Sequence, residues 1–331
     1  MSTGKFKLGI IGMGEISEVR HLPAVKNVKD FDIAGVYDVS SERLEYINKT
    51  YSIPVAKTMD ELFSKKCDAV YIATPNTSHV KLAIEALKNG VAVLLEKPCA
   101  VTADETDLLL QAANKAKQPL LVAYMHKWNR NNQKARQLVK DGHIGELLSY
   151  TSSFSYKLTN MNSWRPLRAK AGPGALADIG IYAISTGMDI FEKMPVSCCA
   201  QAYPAGNSIY GDKFLSGRVN FTDGQWMQID TSFLNDSCGY TVLGTKGAIH
   251  VANSWRQSGE GEISLCTGNC IEYFKEEEVN PYEQELICLK NCLDGKPVPA
   301  EMSVETAIKD VKVMVALDKS ATMMGKEVTI S

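Results

Sequence analysis

Gly12, Gly14 and Ser17 stand in the order G-x-G-x-x-S, a spacing suited to holding a phosphate. Gly12 would make a tight turn, Gly14 would let the backbone approach a pyrophosphate, and Ser17 is small where a helix must pack closely. Met13, Glu15 and Ile16 complete the loop, and the amides and dipole of the helix it opens favour an anion. Asp38 follows about 20 residues on, where it could accept hydrogen bonds from both ribose hydroxyls and would repel a 2′-phosphate. These residues imply a nicotinamide dinucleotide, with NAD preferred. Arg43 offers a route to neutralising a 2′-phosphate, which keeps NADP open. A glycine-rich turn can be a mere connection and Asp38 a helix cap, but a strand before the glycines and a helix after them decide for the dinucleotide.

The elements that must position this loop are legible around it. Short apolar runs alternate with amphipathic helical patterns, the signature of βαβ units and a parallel sheet. Phe6–Ile11, Phe31–Tyr37, Ala69–Ala73, Val91–Leu95 and Leu120–Tyr124 read as buried strands, in a sheet of about six. Ile16–Val28, a segment opening near Ser41, Thr77–Asn89 and a segment from Thr102 to about Lys117 read as the helices between them; Thr102 and Glu105 have capping-box spacing. Beyond Tyr124 the rhythm changes. Asn131–Lys140 and Ala175–Phe191 read as helices, and Leu147–Tyr156, Ser197–Tyr203, Leu215–Phe221, Gln225–Phe233 and Tyr240–Val251 as strands, with Thr222-Asp223-Gly224 as a hairpin turn. A helix from Val304 to Met324 closes the chain. The expectation is an α/β protein, with a Rossmann dinucleotide-binding domain over residues 1–124 and an α+β domain with a mostly antiparallel sheet over residues 125–331.

Composition excludes several other classes. With 331 residues, 45% of them apolar and 22% charged, the chain is globular and long enough for a substantial core. A formal charge of −2 offers no bulk attraction for nucleic acid. No apolar run approaches the ~20 residues of a bilayer span, and Met1 to Lys7 lack the apolar stretch of a secretory leader. A cytoplasmic location is expected, with no nucleic-acid or membrane partner. The nine cysteines are odd in number and scattered, which fits free thiols. Cys266 with Cys270 and Cys288 with Cys292 have i,i+4 spacing but no histidine nearby, so no metal site is expected.

Leu94-Leu95-Glu96-Lys97-Pro98, at the end of the Val91–Leu95 strand, adds a further signature. It joins Gly12-Met13-Gly14, Ala73-Thr74-Pro75-Asn76 with His79, Trp164-Arg165, Gly174-Ala175-Leu176-Ala177-Asp178-Ile179-Gly180, Gly244-Thr245-Lys246-Gly247 and Asn280-Pro281-Tyr282. With these the chain resembles, nearly end to end, the glucose-fructose oxidoreductase / inositol dehydrogenase / rhizopine catabolism (Gfo/Idh/MocA) family. The resemblance implies an NAD(P)-dependent oxidoreductase of a sugar, polyol or related ring. It also implies an open C-terminal sheet that serves substrate binding and oligomerisation, and hence a homodimer or homotetramer. It puts Thr74, Pro75, Asn76, His79, Glu96, Lys97, Trp164 and Arg165 beside the cofactor. Most members carry a histidine where Tyr182 stands, and many a second aspartate where Ser185 stands. The tyrosine version is similar to glucose-fructose oxidoreductase and the dimeric dihydrodiol dehydrogenases, where tyrosine is the acid/base, and it argues against the inositol-dehydrogenase subgroup. Lys127-Trp128-Asn129-Arg130 also departs from the usual arginine, aromatic and proline.

Hydride transfer belongs to the nicotinamide, so the protein must position the substrate carbon and manage one proton. Tyr182 is expected to carry that proton. A phenol of unperturbed pKa ~10 must fall by about two to three to work at neutral pH, which asks for roughly 3–4 kcal/mol of differential stabilisation. The ammonium of Lys97, at the carboxyl end of a parallel strand, is the natural source, and Pro98 beside it is a candidate cis residue. Asp178, one helical turn before Tyr182, would accept a substrate hydroxyl or orient Lys97. Trp164 and Arg165 suit stacking and anion recognition; Tyr156, with Asn160 and Asn162, would line the sugar site. Plainer readings stand beside these: Lys97 as a loop lysine, Asp178 as a carboxylate on a helix dipole, Tyr182 as a buried tyrosine, His79 as a satisfied structural histidine. Two rival functions remain. One is a trans-dihydrodiol dehydrogenase, motivated by Tyr182, Trp128 and Trp164; the other is a catalytically silent dinucleotide sensor that regulates a protein partner.

Overall fold

Runs of branched aliphatic residues pair in parallel to build the first sheet. In the computed structural model, which describes residues 4–205, 209–255, 261–277 and 279–330, these runs are β1 (Phe6–Ile11), β2 (Phe31–Tyr37), β3 (Val55–Ala56), β4 (Ala69–Ile72), β5 (Ala92–Glu96) and β6 (Leu120–Ala123). Met1 to Thr3, the start of the stretch read for a leader, lie outside the described residues. The order is β3-β2-β1-β4-β5-β6, every pair parallel. The chain runs outward from β1 to β3 and returns to continue from β4. The switch point thus falls between the carboxyl ends of β1 and β4, where open α/β sheets take their ligands. Ile10, Ile11, Val70, Ile72, Val93 and Leu95 are fully buried, as in parallel strands covered on both faces.

Among the helices around this sheet two features depart from expectation: the first helix is broken, and a short helix over Met59–Ser64 is added. The segment read as a single helix over Ile16–Val28 is a π-type turn over Ser17–His21 that passes into an α-helix over Leu22–Asn27. Pro23 enters the helix near its start, and its missing N–H interrupts the regular ladder there. Ser40 caps the helix over Ser41–Tyr51 by accepting the Arg43 N–H. The two-residue β3, too short for a periodic signal, was not expected.

The described chain forms two compact units. The first takes in the residues up to Ala100, Asp104–Tyr124 and Asn280–Ala307, so the helix over Pro281–Leu293 packs with the helix over Leu22–Asn27. The second comprises Val101–Ala103, Met125–Val279 and the residues from Ile308 onward. Its sheet has nine strands: β7 (Leu147–Ser155), β8 (Ser197–Tyr203), β9 (Phe214–Asn220), β10 (Trp226–Ser232), β11 (Ser237–Gly244), β12 (Gly247–Ala252), β13 (Glu262–Thr267), β14 (Cys270–Phe274) and β15 (Val328–Thr329). They lie in the order β14-β13-β12-β11-β7-β10-β9-β8-β15, all neighbours antiparallel except β7 and β10. Alternation is plain on β10, where Met227 and Ile229 are buried while Trp226, Gln228 and Asp230 turn to the other face. The alternating run Tyr240–Val251 is a hairpin of β11 and β12 that turns at Thr245-Lys246, inside Gly244-Thr245-Lys246-Gly247, whose lysine reads from sequence as a turn residue.

The helix over Ile181–Phe191 packs on this sheet through Gly187, where a Cβ would fall on the Met227 sulfur and the Tyr150 ring. Among the described residues no helix is long and apolar enough to cross a membrane. None of the nine cysteines forms a disulfide.

Candidate active site

The glycine loop leaves β1 at the switch point of the first sheet. Gly12 has φ +88°, and a Cβ there would lie 2.6 Å from the Ala73 carbonyl oxygen, so only glycine fits. Its N–H donates to the Tyr37 carbonyl at 2.8 Å, and its own carbonyl accepts the buried Ser17 hydroxyl at 2.7 Å. A Cβ on Gly14 would meet nothing within 4 Å, which leaves bare backbone facing open space where a pyrophosphate would lie. Met13 is buried, and its N–H donates to Asp38 Oδ2 at 2.8 Å; Asp38 Oδ1 accepts the Ser40 N–H at 2.9 Å. Glu15 is exposed and Ile16 half-buried at the start of the following turn. Bare glycine, free approach and a carboxylate at the end of β2 fit a dinucleotide. Arg43 joins this group through Nε, which donates to the Met13 carbonyl at 2.6 Å, and it pairs with Glu18.

The neighbouring loops after β4 and β5 are tied together by His79. The ring is buried, with Nε2 2.9 Å from the Thr74 carbonyl and Nδ1 2.8 Å from the Pro98 carbonyl. Burial pushes its pKa down, the two carbonyls oppose that, and Lys97 adds to the lowering. A ring spent on main-chain oxygens is a staple rather than a base. Thr74 Oγ1 and Ser78 Oγ share a hydrogen bond at 2.7 Å, the Ser78 hydroxyl also donates to the Pro75 carbonyl, and Asn76 is buried between them. Lys97, half-buried, follows β5, and the Lys97–Pro98 peptide is cis.

Glu96 ends β5 and accepts the Tyr71 hydroxyl at 2.6 Å and the Lys97 N–H at 3.3 Å. Behind it lies a cluster of buried ionisable groups that sequence reading missed. His21 stacks on Tyr71 with ring centroids 3.8 Å apart, meets Tyr282 edge-on at 5.2 Å and lies 3.3 Å from Glu285 through Nε2. Burial pushes the imidazole down to about 4 and the Glu285 carboxyl up to about 8. Both shifts favour the uncharged forms, in which a carboxyl O–H would donate to the imidazole. Burial also raises Glu96.

In the second unit the site residues converge on Asp178. It sits in a π-type turn over Leu176–Gly180 that runs into the helix over Ile181–Phe191, a bulge of the kind often found at functional sites. Asp178 Oδ2 accepts the Tyr156 hydroxyl at 2.8 Å and lies 3.4 Å from Arg165 Nε. The Arg165 guanidinium rests over the Trp164 ring, 5.2 Å from its centroid. Tyr182 is only 9% exposed, its ring edge-on to His126 at 5.2 Å and tilted against Phe154 at 6.0 Å. Its carbonyl accepts the Thr186 hydroxyl at 2.9 Å, which in turn accepts Trp255 Nε1–H at 2.9 Å. Asn160 and Asn162 instead form a local turn on an exposed loop, the Asn162 N–H donating to Asn160 Oδ1 at 3.1 Å. Sequence reading missed His126 and Phe154 because no spacing rule links them to Tyr182. Lys127, the departure from arginine, is buried and bonds both oxygens of Asp189 at 2.6 and 2.7 Å.

Two family models match this chain. The model of the oxidoreductase family with an NAD-binding Rossmann fold matches residues 6–124, and that of the GFO/IDH/MocA C-terminal domain matches residues 132–250. The rhizopine catabolism protein MocA of Rhizobium meliloti is 30% identical over 77% of this chain and 81% of its own. Glucose-6-phosphate 3-dehydrogenase of Bacillus subtilis is 27% identical, but over only 56% of this chain and 54% of that one. The crystal structure of aldose-aldose oxidoreductase from Caulobacter crescentus, complexed with glycerol, superposes with a TM-score of 0.88 over 98% of this chain and 99% of that chain, and at 22% identity it speaks for the fold alone.

Proposed function

The chain belongs to the Gfo/Idh/MocA family of NAD(P)-dependent oxidoreductases, and from that premise we propose that it oxidises a secondary alcohol of a sugar, polyol or sugar-like ring, or reduces the ketone, with Tyr182 as acid/base and Lys97 assisting. The observation that carries this reading is the convergence of Tyr156 and Arg165 on Asp178, one helical turn before Tyr182. The bound nicotinamide would supply or take the hydride.

What remains falls to side chains. Tyr182 takes the hydroxyl proton in oxidation and returns it in reduction, and the Lys97 ammonium favours the phenolate. Asp178 accepts a substrate hydroxyl, held in place by Tyr156 and Arg165. His126 and Phe154, against the Tyr182 ring, restrict its rotation, so the hydroxyl is presented in one direction. Trp164 offers an apolar face to a sugar ring. Gly12, Gly14, Asp38 and the Thr74-Pro75-Asn76 loop would hold the cofactor, with NAD preferred because Asp38 repels a 2′-phosphate. Some relatives are named for NADP(+), so this preference rests on the chain's own residues. Thiols without disulfides suit the cytoplasm.

The test is the rise or fall of reduced-nicotinamide absorbance when purified protein meets NAD or NADP with aldoses, inositols, uronates, glycosides and an aromatic trans-dihydrodiol. Turnover of a sugar or polyol that is lost in Tyr182→Phe supports the reading. Turnover of the dihydrodiol alone moves the protein to that rival. Cofactor binding with silence on every substrate favours the sensor.

A further inference from the structure

We propose that Glu18 sets the cofactor choice of this chain by holding the Arg43 guanidinium in a closed cluster, so that its charge is already countered before a 2′-phosphate arrives. The inference rests on the reading of the glycine loop as the dinucleotide site. Glu18 lies in the turn over Ser17–His21 that follows the loop. One of its oxygens pairs with Arg43 Nη2; the other accepts the Tyr51 hydroxyl at 2.7 Å and the Tyr46 hydroxyl at 3.1 Å. Arg43 is held at a second point, where Nε donates to the Met13 carbonyl at 2.6 Å, and its guanidinium lies over the Tyr46 ring, 5.0 Å from the centroid. A planar guanidinium presents fixed donors to both partners at once, with less freedom lost than a flexible ammonium would lose.

Charge and protonation agree with the geometry. Partial burial opposes the Glu18 charge, but the hydrogen bonds from Arg43, Tyr51 and Tyr46 outweigh it and hold the carboxyl below its usual range. The same hydrogen bond pushes Tyr51 up to about 12, so Tyr51 stays a donor at neutral pH. Glu18 and Arg43 cancel, which leaves the Asp38 carboxylate beside the glycine loop and the Lys26 ammonium over the Tyr51 ring, 5.7 Å from its centroid. For Arg43 to serve a 2′-phosphate it must either leave Glu18, stranding a half-buried carboxylate, or reach out through Nη1 with its charge already countered by that carboxylate, in both cases beside an incoming group of charge about −1.5 to −2. NAD makes no such demand. Arg43 read from sequence alone is a route to NADP; bound to Glu18 it is a closed one.

The experiment is calorimetric titration of NAD and NADP into the wild-type protein, Glu18→Gln, Arg43→Ala and the double variant, with no substrate required. Glutamine keeps an acceptor for the two tyrosines and removes the charge that holds Arg43. We expect wild type to favour NAD, Glu18→Gln to improve NADP relative to NAD by about five- to tenfold, equivalent to about 1–1.4 kcal/mol, and Arg43→Ala in the Glu18→Gln background to erase that gain. Arg43→Ala alone should leave the NAD-to-NADP ratio near wild type, and it decides the matter if Glu18→Gln fails to fold. An unchanged ratio in folded Glu18→Gln overturns the proposal. So does a wild type that prefers NADP, or a tenfold loss of NADP affinity in Arg43→Ala alone, which would mean that Arg43 already serves the phosphate. Wild-type protein that binds neither dinucleotide overturns the underlying reading of the loop instead.

Discussion

Tyr182 is the residue on which the proposed chemistry turns, and its surroundings shape the tests. His126 and Phe154 confine its ring, so Tyr182→Phe should leave the ring seated and remove only the hydroxyl. A lost acid/base lowers turnover by about 10²–10⁴, while calorimetry should find dinucleotide affinity unchanged. Loss of affinity along with turnover would mark the tyrosine as structural. Tyr156 is expected to behave differently because its hydroxyl orients Asp178 and touches no proton in flight. Tyr156→Phe removes one hydrogen bond worth about 1 kcal/mol, so kcat/KM should fall about fivefold. A fall of the Tyr182→Phe scale would reverse the two roles.

At the scale of elements, the π-type turns and the packing of the helix over Pro281–Leu293 into the first unit carry what local pattern does not show. The strands announced themselves because parallel neighbours demand continuous apolar runs such as Val91-Ala92-Val93-Leu94-Leu95, and the glycine loop because Gly12 alone tolerates its φ of +88°. Gly12→Ala would drive a Cβ to 2.6 Å from the Ala73 carbonyl; we expect a loss of about 1–3 kcal/mol in urea unfolding and weaker binding of both dinucleotides. Apolar periodicity marks which face of a helix is buried but cannot tell a π-type turn from an α-helical one, so the wider turns at Ser17–His21 and Leu176–Gly180 were read as ordinary helix. Nor does local pattern reveal that His21 meets Glu285, 264 residues away. That pair makes a pH prediction. Glu285 rises from 4.5 to about 8 in the folded chain, so its contribution to stability is full below 4.5 and is lost as pH rises through about 8. His21 falls from 6.5 to about 4, so its contribution is full above 6.5 and is lost as pH falls through about 4. Glu285→Gln should therefore flatten the alkaline decline in Tm while sparing the acid one. A difference of about 2–4 °C per kcal/mol recovered is within reach of calorimetry, and an undiminished alkaline decline would show that Glu285 is ionised in the native protein.

For the molecule as a whole, the open face of the nine-stranded sheet sets the remaining question. One face is filled by side chains such as Leu215, Val219, Met227 and Ile229. The opposite face offers Ser216, Arg218, Trp226, Gln228 and Asp230, with Gln228 bonded to Ser216 at 2.9 Å and Asp230 at 3.1 Å and Arg218 lying over Trp226 at 4.7 Å. Charges there are few and already engaged, and Leu148 and Leu243 on the adjoining β7 and β11 stay 42% and 44% exposed. Nine strands at ~4.8 Å spacing, each showing about five residues, cover roughly 700 Å², close to the share each partner gives to a stable interface. We therefore expect a homodimer or homotetramer joined through this face, measurable by sedimentation at micromolar concentration. Gln228→Lys would put a second charged group beside Asp230 at the centre of the contact, where burying charges is costly even when they pair. It should shift the protein towards smaller species without lowering the Tm of the separated chain. If wild type sediments as a monomer, or if the assembly ignores Gln228→Lys, the contact lies elsewhere and this face is simply solvated.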